Sequence, residues 1–482
     1  MTTATVRFAS PEFDELTSLI FRRYPRFEWA TFARFGWRET TDGLVLTLAS
    51  ILPPGEGDID PRVGHVAIQE PYTLRVALDA EKQPLAVGVI HSHPANCAPR
   101  PSPTDDDMDG YYSDYLRGFA PLRPYVSLII SKIEGELACS GRVFWNERWL
   151  IVHRFLVERT PVQTWVRGER PAPIGSPHER TKRLAKAFGD DAAARLRRAS
   201  VAVIGAGGTG SAAIEVLARA GVGRLIVVDP DFLEPSNLER VHGAFSADAT
   251  QNVPKVAIAR RHVEAIDPSC DVVALIGAVP QRDVLDAICT ADIALGCTDQ
   301  QHSRLALSDI SVRYLIPSID CGVMLEGGDG HVTGQVAQIV RFLAADPCAL
   351  CRDMAAPARL QQELVPDDER AQRRAAAVAA TARGENPNPY WHELPQLNTV
   401  GYLTTMAGSL VAGYAIGWIT GRFDPPFERL QMNVVAPFLD VTDSRTVPRQ
   451  DCTCRRVRGW ADQAIVDAFI SPPEHWPAVR RV

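Results

Sequence analysis

Residues 200–231, SVAVIGAGGTGSAAIEVLARAGVGRLIVVDPD, decide the fold class. Val201, Val203 and Ile204 supply a β-branched apolar run, which suits a buried parallel strand. Gly205, Gly207, Gly208 and Gly210 follow at once, then a small-residue helix over 211–220 and a second strand over 225–228. Glycines let the backbone turn tightly and come close to an anion, and a helix N-terminus adds unpaired N–H groups. Asp229 ends the second strand, where a carboxylate can accept a hydrogen bond from a ribose hydroxyl. The glycines alone are a weak signal. A strand before them, a helix after them and an acid at this distance make a nucleotide cradle.

The whole chain sets the bounds. Its 482 residues exceed one ordinary core, so two or three domains are expected. Apolar residues at 46% and charged residues at 23% are ordinary for a soluble globular protein. A net charge of −7 argues against a general nucleic-acid binder. Ten cysteines over this length are no disulfide framework, and their pairing near the end suggests metal in a reducing cytoplasm. The N-terminus lacks the basic-then-apolar pattern of a signal peptide. Residues 399–421 carry no charge and space Gly413, Gly417 and Gly421 four apart. Close helix packing in a protein core is expected there rather than a membrane span.

Residues 1–158 read as an α+β domain, with a helix over 11–23 and strands over 27–37, 44–52, 74–77, 86–90, 125–131 and 141–145. The strand 86–90 runs straight into His91-Ser-His93. Two histidines two apart at a strand end face the same side. Eight residues later comes Ser102-Pro-Thr-Asp105, opening a helix. His91, His93 and Asp105 can give zinc three protein ligands and leave a fourth position open, the catalytic form of such a site. Glu28 is the candidate carboxylate for taking a proton from water, with Glu39 as a rival. Ser102 is a candidate to hold an oxyanion or orient that water, and Cys97 is read as a bystander. The pattern of upstream Glu, H-x-H and S-x-x-D resembles the JAMM/MPN metalloprotease family. The resemblance implies a cytidine-deaminase-like fold and cleavage after the C-terminal glycine of ubiquitin or a ubiquitin-like protein.

Residues 159–178, rich in Pro, Gly and Arg, read as a linker, and a helical lead-in follows over 179–198. After Asp229 and Asp231 the chain places Asn237, Arg240 and Lys255, and later Cys297-Thr-Asp299 at a strand end. Cations so placed suit a triphosphate, and a carboxylate at that strand end can hold Mg²⁺. GxGGxG, D-x-D, N-L-x-R, the lysine and C-T-D together resemble the ubiquitin-activating superfamily of ThiF/MoeB/HesA type, over roughly residues 179–482. The resemblance implies a Rossmann-like domain in which ATP adenylates the C-terminal carboxylate of a ubiquitin-like or sulfur-carrier protein ending in Gly. By it Asp229 holds the ribose, Arg240 and Lys255 the phosphates and Asp299 the metal, with Asp231 assisting. It also implies a homodimer in which Arg180 or Arg183 reaches the partner's γ-phosphate.

Cys348-Ala-Leu-Cys351 and Cys452-Thr-Cys454 fit a closed structural zinc site, although the family commonly has two CxxC pairs. Between them, 354–395 reads as a mobile crossover with one helix over 367–383, and 430–439 as strand. Thioester-forming relatives often carry their nucleophile in the crossover. This segment has no cysteine, which leaves Cys321 or none. The fate of an adenylate stays open between conjugation through a partner enzyme, as in bacterial systems tied to phage defence, and sulfur transfer in cofactor or natural-product synthesis. A catalytically dead scaffold and an NAD-dependent oxidoreductase are the competing readings.

Overall fold

The computed structural model describes residues 3–482 apart from 63–64, 160–161, 167–178, 329, 393–398 and 435–439. The first ten strands are β1 (Thr3–Ala9), β2 (Ala30–Thr40), β3 (Gly43–Leu52), β4 (Ile59–Arg62), β5 (His65–Ile68), β6 (Ala86–Ser92), β7 (Tyr125–Ile133), β8 (Glu136–Trp145), β9 (Arg148–Glu158) and β10 (Gln163–Val166). Eight form one sheet in the order β1-β3-β2-β6-β7-β8-β9-β10, while β4 and β5 make a separate hairpin. β1 also pairs with β9, so the sheet curls until its ends meet. Alternation drives this: Ala4, Val6 and Phe8 of β1 are buried, and Phe13, Leu16 and Ile20 of helix Ser10–Ile20 join the same apolar cluster.

Three sequence expectations change here. Residues 74–77 are not a strand but part of helix Glu70–Ala80. Pro71 starts it, Tyr72, Val76 and Ala80 are buried at helical spacing, and Leu74 and Leu78 are exposed. β1 and β9 are strands that local patterning did not mark. The first sheet also runs past the expected boundary at 158, because β10 pairs with β9 inside the expected linker. Trp165 holds it, buried and donating its indole N–H to the Leu137 carbonyl at 2.8 Å. The rest of that linker, 167–178, lies outside the described residues.

The second sheet comprises β11 (Ser200–Ile204), β12 (Arg224–Val228), β13 (Asp271–Ile276), β14 (Ile293–Gly296), β15 (Ser318–Gly328), β16 (His331–Phe342), β17 (Arg429–Asn433), β18 (Asp440–Ser444) and β19 (Arg480–Arg481). Their order is β18-β17-β16-β15-β14-β11-β12-β13-β19, with a parallel centre from β15 to β13. β11 lies between β12 and β14, so connections leave it toward both sides. That makes the C-terminal ends of β11 and β14 a topological switch point, where open α/β sheets bind ligands. The expected strand over 430–439 stops at Asn433, and 435–439 lie outside the described residues.

Helix Gly401–Thr420 is long and apolar enough to cross a membrane, yet about two thirds of its most apolar stretch is buried in the protein (67%). It packs on helix Gly208–Ala220. The close approach is made by Gly408, where a Cβ would lie 2.3 Å from the Thr209 carbonyl oxygen. The expected stripe does not make that contact: Gly413 meets nothing within 4 Å and Gly417 faces Phe423. The crossover holds two helices, Pro357–Leu364 and Asp367–Ala382, rather than one. The lead-in is broken at Gly189 into Lys182–Phe188 and Asp190–Arg198.

The two sheets meet across a buried polar seam. Arg38 of β2 donates to Asp286 at 2.9 Å and to both oxygens of Asp462 at 2.8 Å. Arg7 of β1 donates to the carbonyls of Cys289 and Ala291. The chain beyond Cys454 returns to the first sheet, where the Gly459 carbonyl accepts from Gly36 N–H at 3.2 Å and Thr47 Oγ1 at 2.7 Å. Ala461 then bridges to Trp37. At Gly36 a Cβ would lie 2.2 Å from Trp460, so only glycine admits the tail.

Candidate active sites

A cleft of about 960 Å³ opens at the switch point. Gly205 closes the turn with φ +96°, and a Cβ on Gly210 would lie 1.8 Å from the Gly205 carbonyl oxygen. Both positions therefore require glycine. Gly207 faces open space, which lets a ligand approach the backbone. Gly208 lies between Thr404 and the Arg240 side chain, whose Cδ a Cβ would meet at 3.1 Å.

Asp229 is buried at the end of β12 and ties this turn together. Its Oδ2 accepts from Ala206 N–H at 2.6 Å and its Oδ1 from Asp231 N–H at 2.8 Å. Each oxygen keeps a lone pair for a further donor. Burial pushes its carboxyl up, against Lys255, and Asp231 adds to the rise. Lys255 Nζ pairs with Asp231 at 2.7 Å. Burial pulls the Lys255 ammonium down, but Asp229, Asp231 and Asp299 outweigh it and hold it charged. Asn237 Oδ1 accepts from Glu234 N–H, leaving its amide nitrogen for a ligand. Arg240 and Asp299 complete the lining. Gly205, Gly207, Gly208, Asp229, Asp231, Asn237, Arg240, Lys255 and Asp299 thus share one cleft, with Gly210 packed behind the turn.

A second cleft, about 240 Å³, lies in the first domain and is lined by Glu28, His91, His93, Ser102 and Asp105. Ligand atoms of His91, His93 and Asp105 all lie within 4.8 Å of one another. His91 Nε2 is buried, 3.3 Å from Asp105 Oδ1, and makes no hydrogen bond. His93 Nδ1 is 3.0 Å from the Ala98 carbonyl, which fixes the ring and turns Nε2 inward. A buried, unsatisfied imidazole nitrogen beside a carboxylate fits a cation. Burial pushes the Asp105 carboxyl up, but the two histidines outweigh it and hold it well below the usual range. Ser102 caps helix Pro103–Phe119 and donates its hydroxyl to Asp105 Oδ2 at 2.8 Å, so it orients the carboxylate. Glu28 sits just before β2, and burial raises its proton affinity. Glu39 is exposed at the far end of β2, opposite Leu44, and is no part of this cleft. Cys97 is exposed at its mouth.

The four paired cysteines also converge. Cys348 and Cys452 sulfurs are 3.6 Å apart, and those of Cys351 and Cys454 are 3.9 Å apart. Tetrahedral zinc with Zn–S of about 2.3 Å sets its sulfurs about 3.8 Å apart. The cluster can hold zinc despite the shortened second pair.

Residues 180–456 match the model of the ThiF family. The chain belongs to that family. Among its relatives, the sulfur carrier protein ThiS adenylyltransferase of Bacillus subtilis is 35% identical over 26% of this chain and 37% of its own length. The SAMP-activating enzyme E1 of Haloferax volcanii is 32% identical over 37% of this chain and 61% of its own length. The vegetative HesA protein of Trichormus variabilis is 32% identical over 34% and 58%. The chain thus spans about a third to three fifths of the length of the relatives it matches. A solved structure of E. coli MccB with ATP aligns at 16% identity and TM-score 0.43, covering 58% of this chain and 76% of that one.

Within this ThiF-family domain, Arg180 donates to the Ala218 carbonyl at 2.7 Å and pairs with Asp267. It is anchored at the end of helix Gly208–Ala220 away from the glycine turn. Arg183 is exposed and pairs with no group among the described residues. Cys321 lines the cleft but is buried, its thiol pushed up by burial and by Asp320, and donates to the Ala407 carbonyl at 3.7 Å. That is the setting of a core cysteine. Sequence reasoning missed Arg359, on the first crossover helix, which also lines the cleft. An arginine in an Ala- and Gln-rich helix carries no local signal of its neighbours.

Proposed function

We propose that this ThiF-family chain adenylates the C-terminal carboxylate of a ubiquitin-like or sulfur-carrier protein with ATP. One observation carries the reading: Asp229, Arg240, Lys255 and Asp299 meet around an open-faced glycine turn at the switch point. A carboxylate oxygen of the acceptor tail would attack the α-phosphorus. The bond from that phosphorus to the bridging oxygen breaks, and pyrophosphate leaves. Arg240 and Lys255 offset the charge that grows on the leaving group. Asp299 would hold magnesium, which neutralises phosphate charge when bound. ATP–pyrophosphate exchange stimulated by a carrier protein ending in Gly-Gly tests this. Absence of exchange together with NADH binding would favour the oxidoreductase reading instead.

The first domain is proposed to be a zinc (iso)peptidase of JAMM/MPN type for the same class of protein. His91, His93 and Asp105 fit zinc, which would supply a Lewis acid for the scissile carbonyl. Glu28, with its raised proton affinity, is placed to take a proton from water and return it to the leaving amine. The attached peptidase favours conjugation through a partner enzyme over sulfur transfer, while the cysteine-free crossover favours the reverse. We give the first more weight. Arg183 is the better candidate to act across a homodimer, since Arg180 is spoken for. A reducing cytoplasm suits the free cysteines.

A further inference from the structure

The crossover segment adds to the nucleotide cleft a cation that lies outside the motif residues. Helix Pro357–Leu364 lies against the start of helix Gln301–Tyr314, two residues past Asp299. Glu363 grips that start with both oxygens. Its Oε1 accepts from Gln301 N–H at 2.9 Å and its Oε2 from His302 N–H at 3.0 Å. Oε2 is also 3.1 Å from His302 Nδ1. These are the helix's first free N–H groups, at the positive end of its dipole, so a carboxylate binds them well. Two such bonds fix how the crossover helix is rotated. Arg359 stands four residues before Glu363, hence on the same face, and lines the cleft beside Gln301 and His302.

The other cations of the cleft have separate tasks. Arg304 is committed to buried Asp320 at 2.7 Å. Lys255 and Arg240 come from the segment after β12. On the wall that carries Asp299, Arg359 is the cation that the crossover contributes, among the described residues.

We propose that Arg359 binds the phosphate end of ATP and that Glu363 is the residue that positions it. The proposal rests on the reading of this cleft as an ATP site. A guanidinium fork matches two phosphate oxygens at once, which a lysine cannot do.

Calorimetric binding of ATP and of AMP to the full-length protein tests it. Arg359→Ala should weaken ATP by at least about tenfold and leave AMP within about twofold. Arg359→Lys should recover part of the loss. Glu363→Ala should also weaken ATP selectively, and Arg359→Ala/Glu363→Ala should be no worse than Arg359→Ala alone, the non-additivity expected of one unit. Lys255→Ala separates the two claims. If it loses ATP while Arg359→Ala binds as the wild type does, the role of Arg359 is overturned and the ATP reading stands. If the wild type binds no ATP, both fall. Equal loss of ATP and AMP in Arg359→Ala also overturns the proposal.

Discussion

Gly408 and Gly413 sit five residues apart in one helix, and alanine should move stability in opposite directions at the two. At Gly413 a methyl meets nothing within 4 Å. Gly413→Ala should therefore gain the helix-propensity difference, about 0.5–1 kcal/mol. At Gly408 the methyl would stand 2.3 Å from the Thr209 carbonyl and 2.8 Å from Ala212 Cβ. Both groups belong to the first turns of the helix that begins at the glycine turn, so neither can swing aside. Reaching ordinary contact means parting the helices by about 1 Å, which forfeits a quarter to a half of each dispersion contact they share. Overpacking of this kind costs about 1–3 kcal/mol. After the propensity gain, a net loss of about 1–2 kcal/mol is expected. Urea unfolding followed by tryptophan emission reports the midpoint for each variant. ATP affinity should fall only in Gly408→Ala, because the glycine turn shifts with its helix. Two midpoints rising together would refute the packing argument.

Glu28→Gln should lower cleavage of a ubiquitin-like fusion by about 10²–10⁴-fold with zinc content kept; loss of zinc instead would make Glu28 a ligand. Cys348→Ser with Cys452→Ser should remove one of two bound zinc equivalents, read by a colorimetric chelator; an unchanged count refutes the four-sulfur site. Glu158, buried in the seam, has its carboxyl pushed well up by burial, which the Ala344 N–H only partly offsets and Asp346 reinforces. Between its ordinary value and its raised one the folded state binds more protons, so stability falls as pH rises through that window. Glu158→Gln keeps the acceptor and ends the titration, so its melting temperature should exceed the wild type's at pH 8 and converge toward pH 4. A gap that does not vary with pH would refute the burial of an ionisable group there.

Features written in short-range pattern were legible. Val201, Gly210 and Asp229 lie on one strand–turn–helix–strand unit, and His91, His93 and Asp105 on one strand end and the helix that follows it, so short-range spacing placed each set together. Features made by distant partners were not. Residues 74–77 pass for a strand until the burial of Tyr72 and Ala80 sets a helical period. Gly408 and Gly413 look alike until Thr209 is seen against one of them. Arg180 and Arg183 are equivalent in sequence, and it is the Ala218 carbonyl and Asp267 that separate them. The tail after Cys454, without a readable motif, finds its partners more than 400 residues upstream, at Gly36 and Thr47.

That returning tail ties the two halves of the chain together. Arg38, threaded between Asp286 and Asp462, bolts the two halves together, and the cluster of Cys348, Cys351, Cys452 and Cys454 lies at the root of the strap that crosses them. A hinged arm that carries cargo from one cleft to the other has no pivot at such a join. On the proposed reading of the two clefts, a tail trimmed in the first would have to let go, diffuse and enter the second as a new encounter.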